Sequence, residues 1–509
     1  MADPTTTLPG DSPTGSRPTS GSVTSGSLTS GSLTSIEQRG IEPVPHEERN
    51  GTPRALFWVW FAANISILGL PLGATLVAFQ GLTIWQALVV AVVGAAGSFA
   101  VVGVISIAGR RGGAPGLTLS RAVFGVRGNV GPTAVSLLSR LGWETVNTTT
   151  AAFVLLSLFS ILFGTGGDAK GHPVLTIVAI LVFVAATVLV SGLGHAFIVA
   201  VQKWATWVFG ALNVFVAVFL VLRVDWDVVA SQPAGPVAAM VIGIGTIAAG
   251  TGIGWATAGA DIARYTRTSV KAGALIAASA AGAGIPLVVL VGLGALVSAG
   301  DPTLAQAGDP VAAIRDLLPS WTAIPYLVAA FGGLLLSNHL SVYSASLTTL
   351  TLGIKVPRVW AVAVDVVVTT LGAVYFMLVA DGFYAPFITF ISVLAVPITA
   401  WLGVFTADML RRRWYDPVAL LDLRVGGRYW YRGGVAWGAL AAWVVAIVVG
   451  FLFTAVQVGD ADPVFVGALS DSWVGANGLG WVVTFVVAAA VYLLTGGARG
   501  QVRAPEQGR

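Results

Sequence analysis

Apolar runs of about 20 residues, the length a helix needs to cross the hydrocarbon of a bilayer, recur along this chain from Ala55 onward. Twelve are predicted as helices, near 55–80, 84–108, 130–163, 172–192, 196–222, 235–260, 270–299, 322–352, 359–379, 385–407, 434–457 and 478–496. In an apolar medium a segment must satisfy its own backbone hydrogen bonds, and runs this long do so as helices. Composition agrees: 10% of the residues are charged, where a soluble globule carries about 25%. A buried core cannot absorb that difference, since a soluble chain still needs a wetted polar surface. The expected class is an all-α integral membrane protein embedded in a lipid bilayer.

Charge in the connections alternates. One set carries Arg110, Arg111, Arg121 and Arg127, then Arg264, Arg267 and Lys271, then Lys355 and Arg358, then six arginines from Arg411 to Arg432. The other set is nearly free of basic residues and holds Asp168, Asp225, Asp227, Asp301, Asp309, Asp316, Asp460, Asp462 and Asp471. The positive-inside rule puts the first set, and with it both termini, in the cytoplasm. The net charge of +4 is explained by this distribution, so no nucleic-acid partner is expected. No charged segment followed by a short apolar one opens the chain, so the first span is expected to serve as an uncleaved anchor. Residues 1–52, with TSGSVTSGSLTSGSLTS, can bury little and are expected to be a disordered cytoplasmic tail whose last part, IEPVPHEER, lies along the membrane surface.

Cysteine is absent and there are four histidines, which excludes disulfides and thiolate metal sites and calls for no metal centre or cofactor. The spans also hold too few carboxylates, histidines and nucleophiles for an intramembrane enzyme.

Two spans are poor continuous helices. The first reads WFAANISILGLPLGA and packs Asn64, Ser66, Gly69, Pro71 and Gly73 together; the sixth has glycines at 243, 245, 250, 252, 254 and 259. Freed backbone of this kind is tolerated in a membrane where it is packed in protein or lines a cavity. Interruptions at positions one and six suggest two inverted five-helix halves, an arrangement that places a small-ligand site at mid-membrane. Alternating access is therefore favoured over a passive channel. Close helix packing is the better account of any single glycine, and a binding site the better account of the paired clusters.

The third span carries SRLGWETVN, in which Arg140, Trp143, Glu144 and Asn147 fall within an arc of about 100°. Ionisable groups at that depth cost at least about 2.5 kcal/mol each unless paired or wet. Arg140 and Glu144, one turn apart, are expected to neutralise each other. Trp143 and Asn147 offer a flat ring beside an amide, which suits a planar heteroaromatic ligand needing a stack on its face and hydrogen bonds at its edge. The eighth span adds Ser337, Asn338, His339, Ser341, Tyr343 and Ser344; Asn338 can read a ring edge, and His339 can carry a proton. Asp261 and Arg264, near the end of the sixth span, are expected to form a local ion pair.

Together these stretches resemble the nucleobase-cation-symport-1 family, in particular its purine-cytosine permease branch, over about residues 41–497. The resemblance rests on IEPVPHEER, WFAANISI, GAPGLTLSRAVFGVRG, GWETVN, GADIARY and SNHLSVYSASL, in order and in the expected spans. It implies a LeuT-type fold of two inverted five-helix repeats with broken helices 1 and 6, and secondary active uptake of nucleobases or related ring compounds. By resemblance, Trp143 stacks on the substrate, Asn147 and Asn338 hydrogen-bond it, and Gly250, Thr251 and Gly252 form the unwound stretch lining the pocket, with Asn64 and Ser66 of the first break facing the same space. Sodium-coupled relatives carry two adjacent hydroxyl residues just before that asparagine; here they are Leu336 and Ser337, so a full sodium site is in doubt and a proton is the expected coupling ion. Ser337, Glu144 and His339 are the candidates for ion coupling.

The organisation that follows is a tail over 1–52, a transport core over 53–407, a basic cytoplasmic loop over 408–433, two further helices over 434–497 and a cytoplasmic tail over 498–509. The expected function is import of a nucleobase such as cytosine or a purine across the plasma membrane. Allantoin, a hydantoin, uracil or hydroxymethylpyrimidine is the alternative substrate, with sodium the alternative ion.

Overall fold

The computed structural model describes residues 40–192, 194–300, 309–354, 358–380, 382, 384–457 and 462–495. The tails at 1–39 and 496–509, together with Lys355, Asp301 and Asp460, lie outside the described residues.

The first predicted span is two helices. Thr52 caps the N-terminus of α1 (Pro53–Asn64) by accepting from the Ala55 amide at 3.2 Å, and Pro53 occupies the first turn, where its missing N–H costs nothing. The helix ends at Asn64, and α2 (Gly69–Ala78) restarts after four residues with a bend of 64°. Pro71 falls in the first turn of α2, again where no amide is needed. A capping box between Thr83 and Gln86 opens α3 (Ile84–Gly112), which ends at Gly113 in the left-handed conformation. A short helix, α4 (Gly116–Phe124), then leads to α5 (Val130–Phe163). The helices α6 (Pro173–Gly192) and α7 (Gly194–Leu222) follow.

The sixth predicted span is also interrupted. After α8 (Val237–Ala248) a wide turn at Ala249–Ile253 leaves Thr251 at φ −129°, ψ −106°. A single 3-10 turn at Ala256–Ala258 leads into α9 (Gly259–Ala263). Beyond it lie α10 (Ala272–Gly300), α11 (Ala323–Thr351), α12 (Arg358–Val374), α13 (Tyr384–Arg411), α14 (Trp437–Leu452) and α15 (Gly480–Leu494). The one described sheet is a two-stranded antiparallel pair, Ala455–Val456 with Phe465–Val466. By length and apolarity eight described helices can cross a membrane, nine if α1 and α2 are one span; Thr206–Leu222, Trp437–Leu452 and Gly480–Leu494 are shorter apolar helices.

Three packing groups position the interior. The broken α2 lies along α10, α5 lies along α11 and α12, and α13 packs with α14 and α15 to one side. Glycines make the first contact close: a Cβ on Gly73 would collide with the Val291 carbonyl, and one on Gly294 with the Leu70 carbonyl.

The basic residues assigned to one side converge at one end. Arg111 donates to the carbonyls of Met409 and Arg412 at 3.2 Å, and Arg121 to those of Leu420 and Thr351. Arg412 pairs with Asp408 at 2.7 Å. Residues 40–52 differ from the expected disorder. The Val44 amide donates to Gly113 O (2.8 Å). Buried Arg49 donates to Val44 O and Arg110 O, and Gly51 pairs with the backbone at Tyr265 and Arg267. A guanidinium that satisfies helix-end carbonyls holds this segment against the protein rather than along a lipid surface.

Because the α2–α10 contact is backbone against glycine, Gly73→Val or Gly294→Val should force the helices apart. Overpacking of this kind costs about 1–3 kcal/mol and should lower the detergent melting temperature. Gly97→Ala, where a Cβ meets nothing within 4 Å, should not. Equal melting temperatures for all three variants would show that the contact adapts.

Candidate functional site

The two breaks face each other across a small cavity. The first break gives Asn64, Ser66, Leu68 and Gly69, the sixth span gives Gly250 and Trp255, and α5 and α11 give Trp143, Asn147 and Ser337.

At the first break Asn64 turns its amide back to donate to Trp60 O at 2.8 Å, and the amides of Gly69 and Leu70 are taken by Ser66 O and Ile67 O. The second break is satisfied from other helices. The Ser98 hydroxyl of α3 accepts from the Gly252 amide (3.1 Å) and lies 3.3 Å from the Thr251 hydroxyl. Ser106 donates to Gly259 O at 2.8 Å, and Ser136 of α5 meets Thr257 at 2.7 Å. Arg140 donates to Gly254 O. Buried side chains thus do what water does for a broken helix elsewhere.

The aromatic walls are built edge to face. Trp143 meets Phe387 and Phe390 of α13 at 5.5 and 6.4 Å between ring centroids, and Trp60 meets Trp255 at 5.7 Å. Asn147 is 1% exposed, and its Oδ1 has no hydrogen-bond partner. A buried amide oxygen left unpaired costs about 1–3 kcal/mol, so this wall is built to accept a hydrogen bond.

The sequence-predicted residues divide. Trp143, Asn147, Gly250, Asn64, Ser66 and Ser337 all line the cavity. Thr251 and Gly252 belong to the break but face α3: Thr251 donates to Ile247 O at 2.6 Å, and a Cβ on Gly252 would meet Ser98. Asn338 points toward α6, donating to the Thr187 hydroxyl at 3.1 Å. Glu144 and His339 are buried outside the cavity lining.

Two expected ion pairs are absent among the described contacts. Arg140 does not pair with Glu144; its guanidinium stacks over Trp255 at 4.4 Å from the ring centroid, with Nε and Nη1 unpartnered. A cation over an indole face and against a carbonyl is held without a carboxylate. Asp261 is held by other groups: its Oδ1 accepts from the Gly116 amide (2.9 Å) and its Oδ2 from the Ser344 hydroxyl (2.7 Å). Arg264 donates to Gly40 O and to the hydroxyls of Tyr265 and Tyr343. This network ties the end of the sixth span to α4 and α11.

Trp255, Phe387, Phe390 and Leu72 were not anticipated. Trp255 follows the glycine cluster directly, an aromatic beside freed backbone, and was therefore detectable; the phenylalanines lie in an ordinary apolar run and were not.

The family model for permeases of cytosine/purines, uracil, thiamine and allantoin matches residues 43–496. The chain belongs to this family. It is 26% identical over 467 residues to YxlA of Bacillus subtilis (strain 168), provisionally named a purine-cytosine permease, covering 90% of this chain and 95% of that protein. It is 25% identical over 430 residues to the hydantoin permease of Microbacterium maritypicum, covering 81% and 83%. Among solved structures the fold matches Mhp1, a nucleobase-cation-symport-1 family transporter in a closed conformation with bromovinylhydantoin bound. The TM-score is 0.67 and the identity 20%, over 91% of this chain and 95% of that one. It also matches a Na⁺-coupled sialic acid symporter at a TM-score of 0.53 and 12% identity, over 88% and 91%. The fold is thus the LeuT-type transporter fold, and the chain is a membrane transporter rather than an enzyme.

Thr251 holds the break rather than the cavity. Thr251→Val should therefore lower the melting temperature, through loss of buried hydrogen bonds worth about 0.5–1.5 kcal/mol each, and leave the order in which competing ring compounds displace a bound one unchanged. A changed order would put Thr251 in contact with ligand.

Proposed function

We propose that this protein imports a nucleobase such as cytosine or a purine across the plasma membrane by alternating access, coupled to protons. The observation that carries this reading is the unpaired, buried Asn147 oxygen beside the Trp143 ring, in a cavity walled by both helix breaks. A planar base fits it chemically, with its face on an aromatic ring and an edge N–H to the amide oxygen. Trp143 is the stacking residue and Asn147 the edge reader, with Asn64, Ser66, Gly250 and Ser337 completing the wall. Asn338, tied to Thr187 in this conformation, reaches the ligand only if α6 and α11 move relative to the core. Thr251 and Gly252 support the break from behind.

The chain is organised as twelve spans in two inverted five-helix repeats over 53–407, a basic loop over 408–433 and two more helices over 434–497, with both termini cytoplasmic. The basic residues that converge at one end support that orientation.

For the ion, the packing around Leu336 favours a proton. Leu336 is 5% exposed in an apolar cluster with Ala62 of α1, Ile65 of the first break, Phe61 and Phe209. A hydrocarbon side chain thus packs at one of the two positions where sodium-coupled relatives carry hydroxyls, and a desolvated sodium ion needs several oxygens. Ser337 stays on the cavity wall, and Glu144 is the preferred proton carrier over His339.

A second reading, a hydantoin or allantoin as cargo, is supported by likeness to the hydantoin permease over most of both chains.

Uptake of radiolabelled cytosine, adenine, hypoxanthine, uracil, allantoin and a hydantoin separates these readings. Saturable uptake of a base should collapse with a protonophore and persist when choline replaces sodium. Uptake that stops in choline and survives the protonophore would overturn proton coupling, and transport of the hydantoin alone would overturn the base. Trp143→Ala should weaken apparent affinity roughly 5- to 150-fold, the worth of one base–aromatic stack of about 1–3 kcal/mol. Unchanged affinity would remove Trp143 from the site.

A further inference from the structure

One cluster of ionisable groups among the described residues of the helix core does not balance. Glu144 on α5 is 1% exposed with Oε1 unpartnered, and Asp365 on α12 is 2% exposed with Oδ2 unpartnered. The two lie within electrostatic range of each other, and the cation acting on Glu144 is Arg140. Arg140 is itself fully buried and acted on by both Glu144 and Asp261. With Arg264 beside Asp261, the group comprises two guanidiniums and three carboxyls. One negative charge is left over in a place where an uncompensated charge costs several kcal/mol.

Asp261 is not the group that carries the surplus. Both its oxygens accept hydrogen bonds, from Gly116 and Ser344. The Oε1 of Glu144 and the Oδ2 of Asp365 accept none. The Ser341 hydroxyl of α11, fully buried beside Glu144, makes no hydrogen bond of normal geometry and is available to that carboxyl. The helices packed on α5 bring further ionisable groups, His339 and Tyr343 on α11 and Arg358 at the start of α12. The α6 sequence contains none, and α13 holds Asp408 paired to Arg412 near its end. His339, two residues from Ser341, is offset from it by about 200° around the α11 axis. Arg315, before α11, reaches Ser157 near the far end of α5.

We propose that Glu144 and Asp365 form a carboxyl pair that holds a single proton between α5 and α12, and that this pair is the ion-coupling site. Proton coupling as proposed above is its premise. The pair stands beside the substrate cavity, and the link between them is Arg140. Its guanidinium is fastened to the Gly254 carbonyl at the sixth-span break and lies over Trp255, a cavity-lining ring. Gly254 in turn abuts Trp143: a Cβ there would come within 3.0 Å of Nε1. Any rearrangement of the break around a ligand therefore carries Arg140 toward or away from Glu144. Approach of the cation favours release of the proton and retreat favours its uptake. In the transport step, water on the outer side gives a proton to one carboxylate, forming an O–H bond. After the conformational change that bond breaks, and the proton passes to water on the cytoplasmic side with the pair returned to its anionic form.

Asp365 is a positioning partner for the proton and touches no ligand, so accumulation and exchange separate its role from a structural one. Wild type, Glu144→Gln, Asp365→Asn and Asp365→Glu are reconstituted in vesicles and assayed with the base that gives most uptake in the panel above. An imposed gradient of about one pH unit, worth about 1.4 kcal/mol per proton, should drive roughly tenfold accumulation by wild type. Asp365→Asn and Glu144→Gln should lose that accumulation while keeping base-for-base counterflow within about threefold, and Asp365→Glu should recover it. Asp365→Asn that accumulates as wild type does, and remains sensitive to a protonophore, would overturn the pair. Loss of counterflow together with accumulation would assign Asp365 to the fold and overturn it equally. Wild-type uptake indifferent to the pH gradient would instead refute proton coupling itself.

Discussion

Backbone amides and carbonyls released where a helix breaks inside an apolar medium must find partners, and this requirement organises the centre of the protein. Two helices break at the same level, between Asn64 and Gly69 and between Ala248 and Gly259. The first break closes largely on itself, through Ser66 and Ile67 carbonyls. The second is held by Ser98 and Ser106 of α3, Ser136 and Arg140 of α5. Helices that carry these polar side chains must therefore surround the break, which fixes α3 and α5 in place and leaves the cavity between the two interruptions.

The same requirement explains why the polar residues of the third span serve different ends. Arg140 faces the break and satisfies a carbonyl. Trp143 and Asn147 face the cavity. Glu144 faces α11 and α12. One helix thus touches the broken backbone, the cavity and the proposed carboxyl pair, all within two turns. Close approach of the remaining helices depends on small residues. A side chain on Gly333 of α11 would meet the carbonyl of Ile65, which brings α11 against the first break and places Ser337 on the cavity wall.

Much of this was legible in the sequence, for reasons that can be named. Long apolar runs give helices in lipid, and the long described helices fall close to the expected stretches because one medium dictates their length, whereas the short α4 lies between two of them. Both interruptions were visible as glycine, proline and asparagine clusters. Five of the expected binding residues, Asn64, Ser66, Trp143, Asn147 and Gly250, share one cavity because break residues and the polar arc of the third span are each forced toward the interior. What was not legible depended on partners distant in sequence. Arg140 and Glu144 are one turn apart, yet Arg140 is drawn to Gly254 and Trp255, more than a hundred residues away. Asp261 and Arg264 likewise find separate partners on α4, α11 and the segment before α1. Rotation about a helix axis decides whether Thr251 and Gly252 face the cavity or α3, and residue type alone does not report it. Asp365 was visible as a lone carboxylate in an apolar run, but its neighbour Glu144 is set only by the packing of α12 on α5. The segment at 40–52 reads as polar and proline-broken, and only the Arg110 carbonyl at the end of α3 shows why Arg49 anchors it.

The central claim is that the ligand sits where the two breaks face the third span. A structure of the purified protein with a transported base bound tests it most directly. The account predicts density for a planar ring stacked on Trp143, with an edge nitrogen within hydrogen-bond distance of Asn147 Oδ1 and Gly250 at its rim. A ring bound elsewhere, with Asn147 Oδ1 still unpaired, would contradict it.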